Sequence, residues 1–151
     1  MEKKTILILV IGLVLVIIGG ALFTTFNNNS QVSVGDAVFK LPSGFHKGQS
    51  NSAGDINITN DYDSAFIKEY ETDNITKVIK DYKNYKNDEN HTVKISNSTI
   101  NNITVYKSSV TNETYTIHYW FVYKNKVYSI YTWGGGKNFD SIATDLIKSL
   151  N

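Results

Sequence analysis

Cysteine and arginine are both absent from these 151 residues, and Pro42 is the single proline. Without cysteine there is no disulfide, no thiolate metal site, no cysteine nucleophile and no lipidated lipoprotein N-terminus, so packing alone must supply stability. Without arginine the chain lacks the planar fork most used to grip phosphate and carboxylate, which weighs against phosphoryl transfer. Neither sign of charge dominates. Fifteen lysines face 14 acidic residues, for a formal net charge of +1, so bulk electrostatics does not recruit nucleic acid and no nucleic-acid partner is expected. The abundance of Asn, Ile, Lys and Tyr has the character of an AT-rich prokaryotic genome, bacterial or archaeal.

One long stretch has no charge at all: residues 5–26 read TILILVIGLVLVIIGGALFTTF. At about 1.5 Å per helical residue it matches the roughly 30 Å hydrocarbon core of a bilayer. Lys3 and Lys4 precede it and no basic residue follows until Lys40. The positive-inside bias then places the N-terminus in the cytoplasm and the rest outside, a single-pass signal-anchor whose partner is the lipid bilayer. A cleaved secretory signal is the competing reading. The run is long for a signal core, however, and no clear A-x-A site follows Gly20. A pilin-like precursor would need a glycine ahead of the run, and Lys4-Thr5 lacks it.

Residues 27–31 (NNNSQ) read as a polar linker, with one folded extracytoplasmic domain over residues 32–151, large enough for a real core. Two stretches have helical periodicity. Ile75, Val78, Ile79, Tyr82 and Tyr85 share one face, with Thr72, Asp73 or Asn74 as N-cap. Phe139, Ile142, Ala143, Leu146, Ile147 and Leu150 share another, capped by Asn138 or Asp140. Strands are expected over residues 37–41, 55–59, 65–71, 92–96, 103–110, 115–124 and 127–133, where apolar and polar residues alternate with many β-branched and aromatic side chains. A two-residue turn at Asn125 and Lys126 would pair Lys124 with Val127. Tyr119, Phe121, Tyr123, Tyr128 and Ile130 would then share one face, and His118, Trp120, Val122, Tyr131 and Trp133 the other. Both faces are apolar, which implies cover on both sides. The expected architecture is α+β: a transmembrane helix, then a central antiparallel sheet with a helix against each face.

Residues 38–45 read VFKLPSGF, and the C-terminal part reads VYSIYTWGGGKNFDSIATDLIKSL. An early strand ending in an F-x-x-P-x-G-aromatic turn, several hairpins, and a closing amphipathic helix ending I-x-x-S-L resemble the PsbP/Mog1-like α-β-α fold, small membrane-anchored prokaryotic surface proteins of that fold included. The resemblance implies an antiparallel sheet between helices. It brings no catalytic or binding residue with it, because members of that fold do unrelated things.

Motifs for chemistry are sparse. His46, His91 and His118 have no metal-ligand spacing, so no metal and no cofactor is expected. Asp61 and Asp63 open like a calcium loop, but Phe66 stands where glycine is needed and Thr72 where a bidentate Glu is needed, which leaves a hairpin turn. Gly134, Gly135, Gly136 and Lys137 form a candidate anion loop before the last helix. It lacks the P-loop's first glycine and has Asn138 in place of Ser or Thr, so a flexible connection is the simpler reading. Sequons begin at Asn28, Asn57, Asn74, Asn90, Asn97, Asn102 and Asn112 and are candidate glycosylation sites. His118, Trp120, Tyr131 and Trp133 form a candidate binding face for a sugar ring or a partner protein, weighed against burial under a helix, the commoner fate of aromatics at strand spacing. The functional expectation is a non-enzymatic, membrane-tethered domain that binds an envelope protein or polysaccharide. The alternative is a cell-envelope hydrolase whose acidic residues meet only in three dimensions.

Overall fold

The computed structural model describes residues 30–110, 116–133 and 138–150. The expected anchor and most of the linker lie outside them, as do the loop of Gly134, Gly135, Gly136 and Lys137 and the sequons at Asn28 and Asn112. Among the described residues no helix is long and apolar enough to cross a membrane.

The chain runs β1 (Gln31–Val34), β2 (Ala37–Lys40), β3 (His46–Lys47), β4 (Ile56–Thr59), β5 (Ser64–Tyr70), α1 (Ile75–Lys86), β6 (Val93–Ile100), β7 (Ile103–Val110), β8 (Thr116–Tyr123), β9 (Lys126–Trp133) and α2 (Phe139–Lys148). β1 and β2 form a separate hairpin. The other strands make one sheet in the order β3-β4-β5-β9-β8-β7-β6, and all of its described pairings are antiparallel.

Side chains on a strand alternate between faces, so one sheet offers two different surfaces. On one, Ile58, Ala65, Ile67, Val105, Tyr119, Phe121, Tyr128 and Ile130 are buried against Phe139, Ile142, Ala143, Leu146 and Ile147 of α2, with Val32, Val34, Ala37 and Phe39 of the β1–β2 hairpin closing the same core. On the other, Trp120 and Val127 are buried with Val78 of α1, and Tyr70, Ile75, Ile79, Tyr82, Ile95 and Tyr106 pack around them. A helix therefore lies against each face, as the two-sided apolar pattern implies, and the sheet is antiparallel, as expected where strands mostly follow one another along the chain.

α1 starts where Asn74 accepts a hydrogen bond from the Lys77 amide at 3.0 Å, an N-cap in the ordinary sense. α2 starts differently. Asn138 holds the cap position without a side-chain cap, and Asp140 is instead drawn onto the sheet, accepting from Tyr119 at 2.8 Å and from Lys107 at 2.6 Å. Tertiary partners for Asp140 thus displace the local capping expected of it.

The β8–β9 turn falls on Lys124 and Asn125, both at positive φ, and pairs Tyr123 with Lys126 instead of Lys124 with Val127. The register thereby moves by two residues from the expected one. Because the side-chain period is also two, every residue keeps its expected face. Ring pairing accompanies the observed register: Phe121 stacks on Tyr128 at 5.9 Å and His118 on Tyr131 at 4.8 Å.

Three strands differ from expectation. β1 falls where the sequence reads as linker and domain start, and β3 falls at His46 and Lys47, where a loop is expected because two residues carry no alternation. β6 runs on to Ile100 through Ser96, Asn97, Ser98 and Thr99, a polar stretch that an edge strand tolerates because it is largely exposed. The motif at Pro42 to Phe45 is a hydrogen-bonded turn, with the Phe45 amide donating to the Pro42 carbonyl at 3.0 Å and Gly44 at φ 82. In the β1–β2 turn, Gly35 sits at φ 55, and a Cβ there would stand 1.3 Å from Glu69 Oε2, so a larger residue would strain the backbone and push the Glu69 carboxylate away from Tyr128.

Candidate functional site

α1 is shorter than the sheet face it covers. Its Tyr82 leans onto Trp120 and His118, with ring centroids 4.9 and 4.6 Å away, and leaves the end of β5, β9 and β8 open. There Phe66, Tyr131 and His118 stand side by side on neighbouring strands. Their rings are nearly parallel at 5.4 and 4.8 Å, close to the strand spacing, and Trp120 continues the row from His118 at 5.0 Å. Trp133 leans on Phe66 at 5.5 Å and on Tyr131 at 5.9 Å.

The loop before β4 closes the other side. Asn51 organises it, its Oδ1 accepting from the Ala53 and Asp55 amides at 3.0 and 2.9 Å. Its Nδ2 donates to Asp55 Oδ2 at 3.1 Å and to the Tyr131 hydroxyl at 3.0 Å. Asp55 is only 7 % exposed, and a buried carboxylate needs partners. Tyr131 donates to its Oδ2 at 2.5 Å, and Lys68 Nζ stands 3.6 Å from its Oδ1. Continuing the β4–β5 register by one pair sets Asp55 opposite Lys68.

Together these groups line an open cleft of about 430 Å3, within the range of small-ligand sites. Asn51, Asp55, Lys68 and Tyr131 lie on one side, Tyr82, Tyr85 and Lys86 of α1 on another, with His118 and Trp133 completing the wall. Asp55 is the only carboxylate among the described lining residues.

The structure divides the candidate binding face. Trp120 is fully buried beneath α1 and offers no surface. Tyr131 is 4 % exposed and reaches the cleft chiefly through its hydroxyl network. His118 is half-buried in the cleft wall, and Trp133 is 63 % exposed at its edge. A four-residue platform is therefore not what the fold builds, because α1 takes up part of that surface.

The remaining candidates are scattered. Asp61 and Asp63 belong to the β4–β5 hairpin turn, where Asn60 Oδ1 accepts from the Tyr62 and Asp63 amides at 2.8 and 2.7 Å. Of the described sequons, Asn90, Asn97 and Asn102 are exposed, Asn74 is exposed but occupied as an N-cap, and Asn57 is half-buried with a buried Oδ1. His46 is exposed on β3, and His91 bonds Asp88 at 2.9 Å outside the cleft.

Three buried phenols donate to carboxylates: Tyr131 to Asp55, Tyr119 to Asp140 at 2.8 Å and Tyr128 to Glu69 at 2.7 Å. Burial first, then the hydrogen bond to the carboxylate and after it the carboxylate's charge, raises each above its ordinary value of 10.0. A group raised in the folded state stabilises fully below its unfolded value, and that stability is lost as pH climbs through the folded one. Stability is therefore expected to hold level from neutral pH to about 10 as far as these groups are concerned, then fall. In an absorbance titration of the ten tyrosines, these three should ionise last, together with loss of structure. Ionisation of all ten near pH 10 in a folded chain would contradict this.

No protein-family model matches this sequence, and no curated protein matches it. Among solved structures, the solution structure of cyanobacterial PsbP (CyanoP) from Synechocystis sp. PCC 6803 is similar, with 14% identity and a TM-score of 0.49 over 80% of this chain and 90% of that one. The likeness concerns the fold and brings no residue roles.

Proposed function

We propose that this chain is a non-enzymatic ligand-binding domain, tethered outside the cytoplasmic membrane by residues 5–26, with the cleft beside α1 as its binding site. The observation that carries the reading is the clustering of exposed aromatics. Tyr85 and Trp133, two of the five large apolar side chains exposed among the described residues, line the same cleft, although water-exposed indole is otherwise costly. The tether rests on the uncharged run and on the lysines that precede it.

A second reading, an envelope hydrolase with an acidic site, draws on the meeting of Asp55, Lys68 and His118 in one cleft. Against it, glycoside hydrolysis ordinarily needs a pair of carboxyl groups, and the described lining residues supply one, already engaged by Tyr131, Asn51 and Lys68.

The full chain immobilised in lipid nanodiscs is expected to retain protein or polymer from a cell-envelope extract, and Trp133→Ala and Tyr85→Ala should each lower that retention without altering the melting temperature. Retention identical in all three proteins would sink the binding reading. Shortening of the retained polymer, abolished by Asp55→Asn, would favour the hydrolase.

A further inference from the structure

We infer that the ligand of this cleft is a neutral saccharide unit, an inference that rests on the ligand-binding reading above. A pyranose has an apolar face of ring C–H groups and an edge of hydroxyls, so its site needs a firm aromatic wall beside polar groups that both donate and accept. Trp133 supplies the wall. It is 63 % exposed yet braced by Phe66 and Tyr131, so little side-chain freedom remains to be lost on binding.

The polar side is equally specific. Asp55 Oδ1 and Lys68 Nζ are 3.6 Å apart, an ion pair too long for a direct hydrogen bond. A hydroxyl seated beside both would donate to the carboxylate and accept from the ammonium, a double role that suits a sugar hydroxyl. Asn51 and Tyr131 hold the carboxylate in place from its other oxygen. The pair itself is balanced: beside it a cation would meet the Lys68 ammonium and an anion the Asp55 carboxylate, so either would have to part the two groups, while Lys86, the one further lysine among the described lining residues, stands on the α1 side of the cleft. A neutral, hydroxyl-rich ring is the class that uses wall and pair at once.

The chain has two tryptophans, and Trp120 is fully buried while Trp133 is not, so acrylamide quenching of the full chain in nanodiscs reports Trp133. Maltose, cellobiose and N,N′-diacetylchitobiose would be titrated against three controls: inorganic phosphate, tetramethylammonium and trialanine. At least one disaccharide is expected to protect the indole saturably, about tenfold more weakly in Asp55→Asn, as loss of one charged hydrogen bond implies, while the controls do not. Protein lacking Trp133 (Trp133→Phe) should lose disaccharide affinity by calorimetry. Absence of protection by all three disaccharides, or equal protection by trialanine or an ion, overturns the saccharide assignment. If Trp133→Ala still changes what the tethered chain retains from envelope extract, the binding site itself survives that failure; if it does not, both fall together.

Discussion

Trp120→Ala is expected to destabilise the fold by about 3–5 kcal/mol, the usual cost of truncating a large buried aromatic, and to lower Tm by roughly 10–20 °C in a domain of this size. Trp120 is fully buried and forms, with Val127 and Val78, the small cluster that holds α1 to the sheet. The larger core under α2 contains none of these residues. Loss should therefore fall on α1, and amide exchange in residues 75–86 should rise more than in β5 or β9. Trp120→Phe should cost much less than its lost area suggests. The indole Nε1 is buried without a hydrogen-bond partner among the described residues, and removing such a donor returns part of the transfer loss. Chemical denaturation of both variants checks this, and an Ala variant within 1 kcal/mol of the native chain would show that α1 is held by something else.

Asp55→Ala carries the second large effect, about 2–3 kcal/mol, because it removes the acceptor of a buried hydroxyl. The Tyr131 hydroxyl loses its carboxylate acceptor, the Asn51 amide keeps only Tyr131 of its two acceptors, and Lys68 loses its counter-charge, although partial exposure lets water compensate the lysine. Asp55→Asn keeps a carbonyl for Tyr131 and should cost less than half as much. Tyr131→Phe combined with Asp55→Ala should be less damaging than the sum of the two, since each removes the other's partner. Strict additivity in a double-mutant cycle measured by thermal melting would mean that the 2.5 Å contact contributes nothing to stability.

Both effects arise at contacts that are distant in sequence. Asp55 and Tyr131 are 76 positions apart and Asn51 and Tyr131 are 80, and no local motif announces such a pair. The β4–β5 turn offered a partial signal. Once Asn60 is taken as the turn organiser, Thr59 pairs with Ser64, and counting outward brings Asp55 opposite Lys68. The step from there to Tyr131 needs β9 to lie beside β5, a sheet order that follows from packing and not from adjacency along the chain. Tyr82 and Tyr85 were readable as one face of a helix, but which part of the sheet that helix covers was not. Hence His118, Trp120, Tyr131 and Trp133 could be grouped by strand parity, while their separation into covered and open members had to come from the fold.

What the amino-acid sequence determined by itself is the set of properties that depend on period and composition. Alternation along β8 and β9 assigned every aromatic to its face even though the turn moved by one residue, since a register shift of two leaves parity intact. The 3.6-residue repeat set α1 and α2 on opposite sides of an antiparallel sheet, because two apolar faces require two covers. Tertiary structure alone decided how far α1 reaches, and therefore that Trp120 is core while Trp133 is surface. It also decided that Asp140 bonds to Tyr119 and Lys107 instead of capping its helix, and that Asp55 is buried beside Lys68. Each of these depends on groups brought together across dozens of residues, where the free energy of a contact is set by burial and partners that no window of sequence contains.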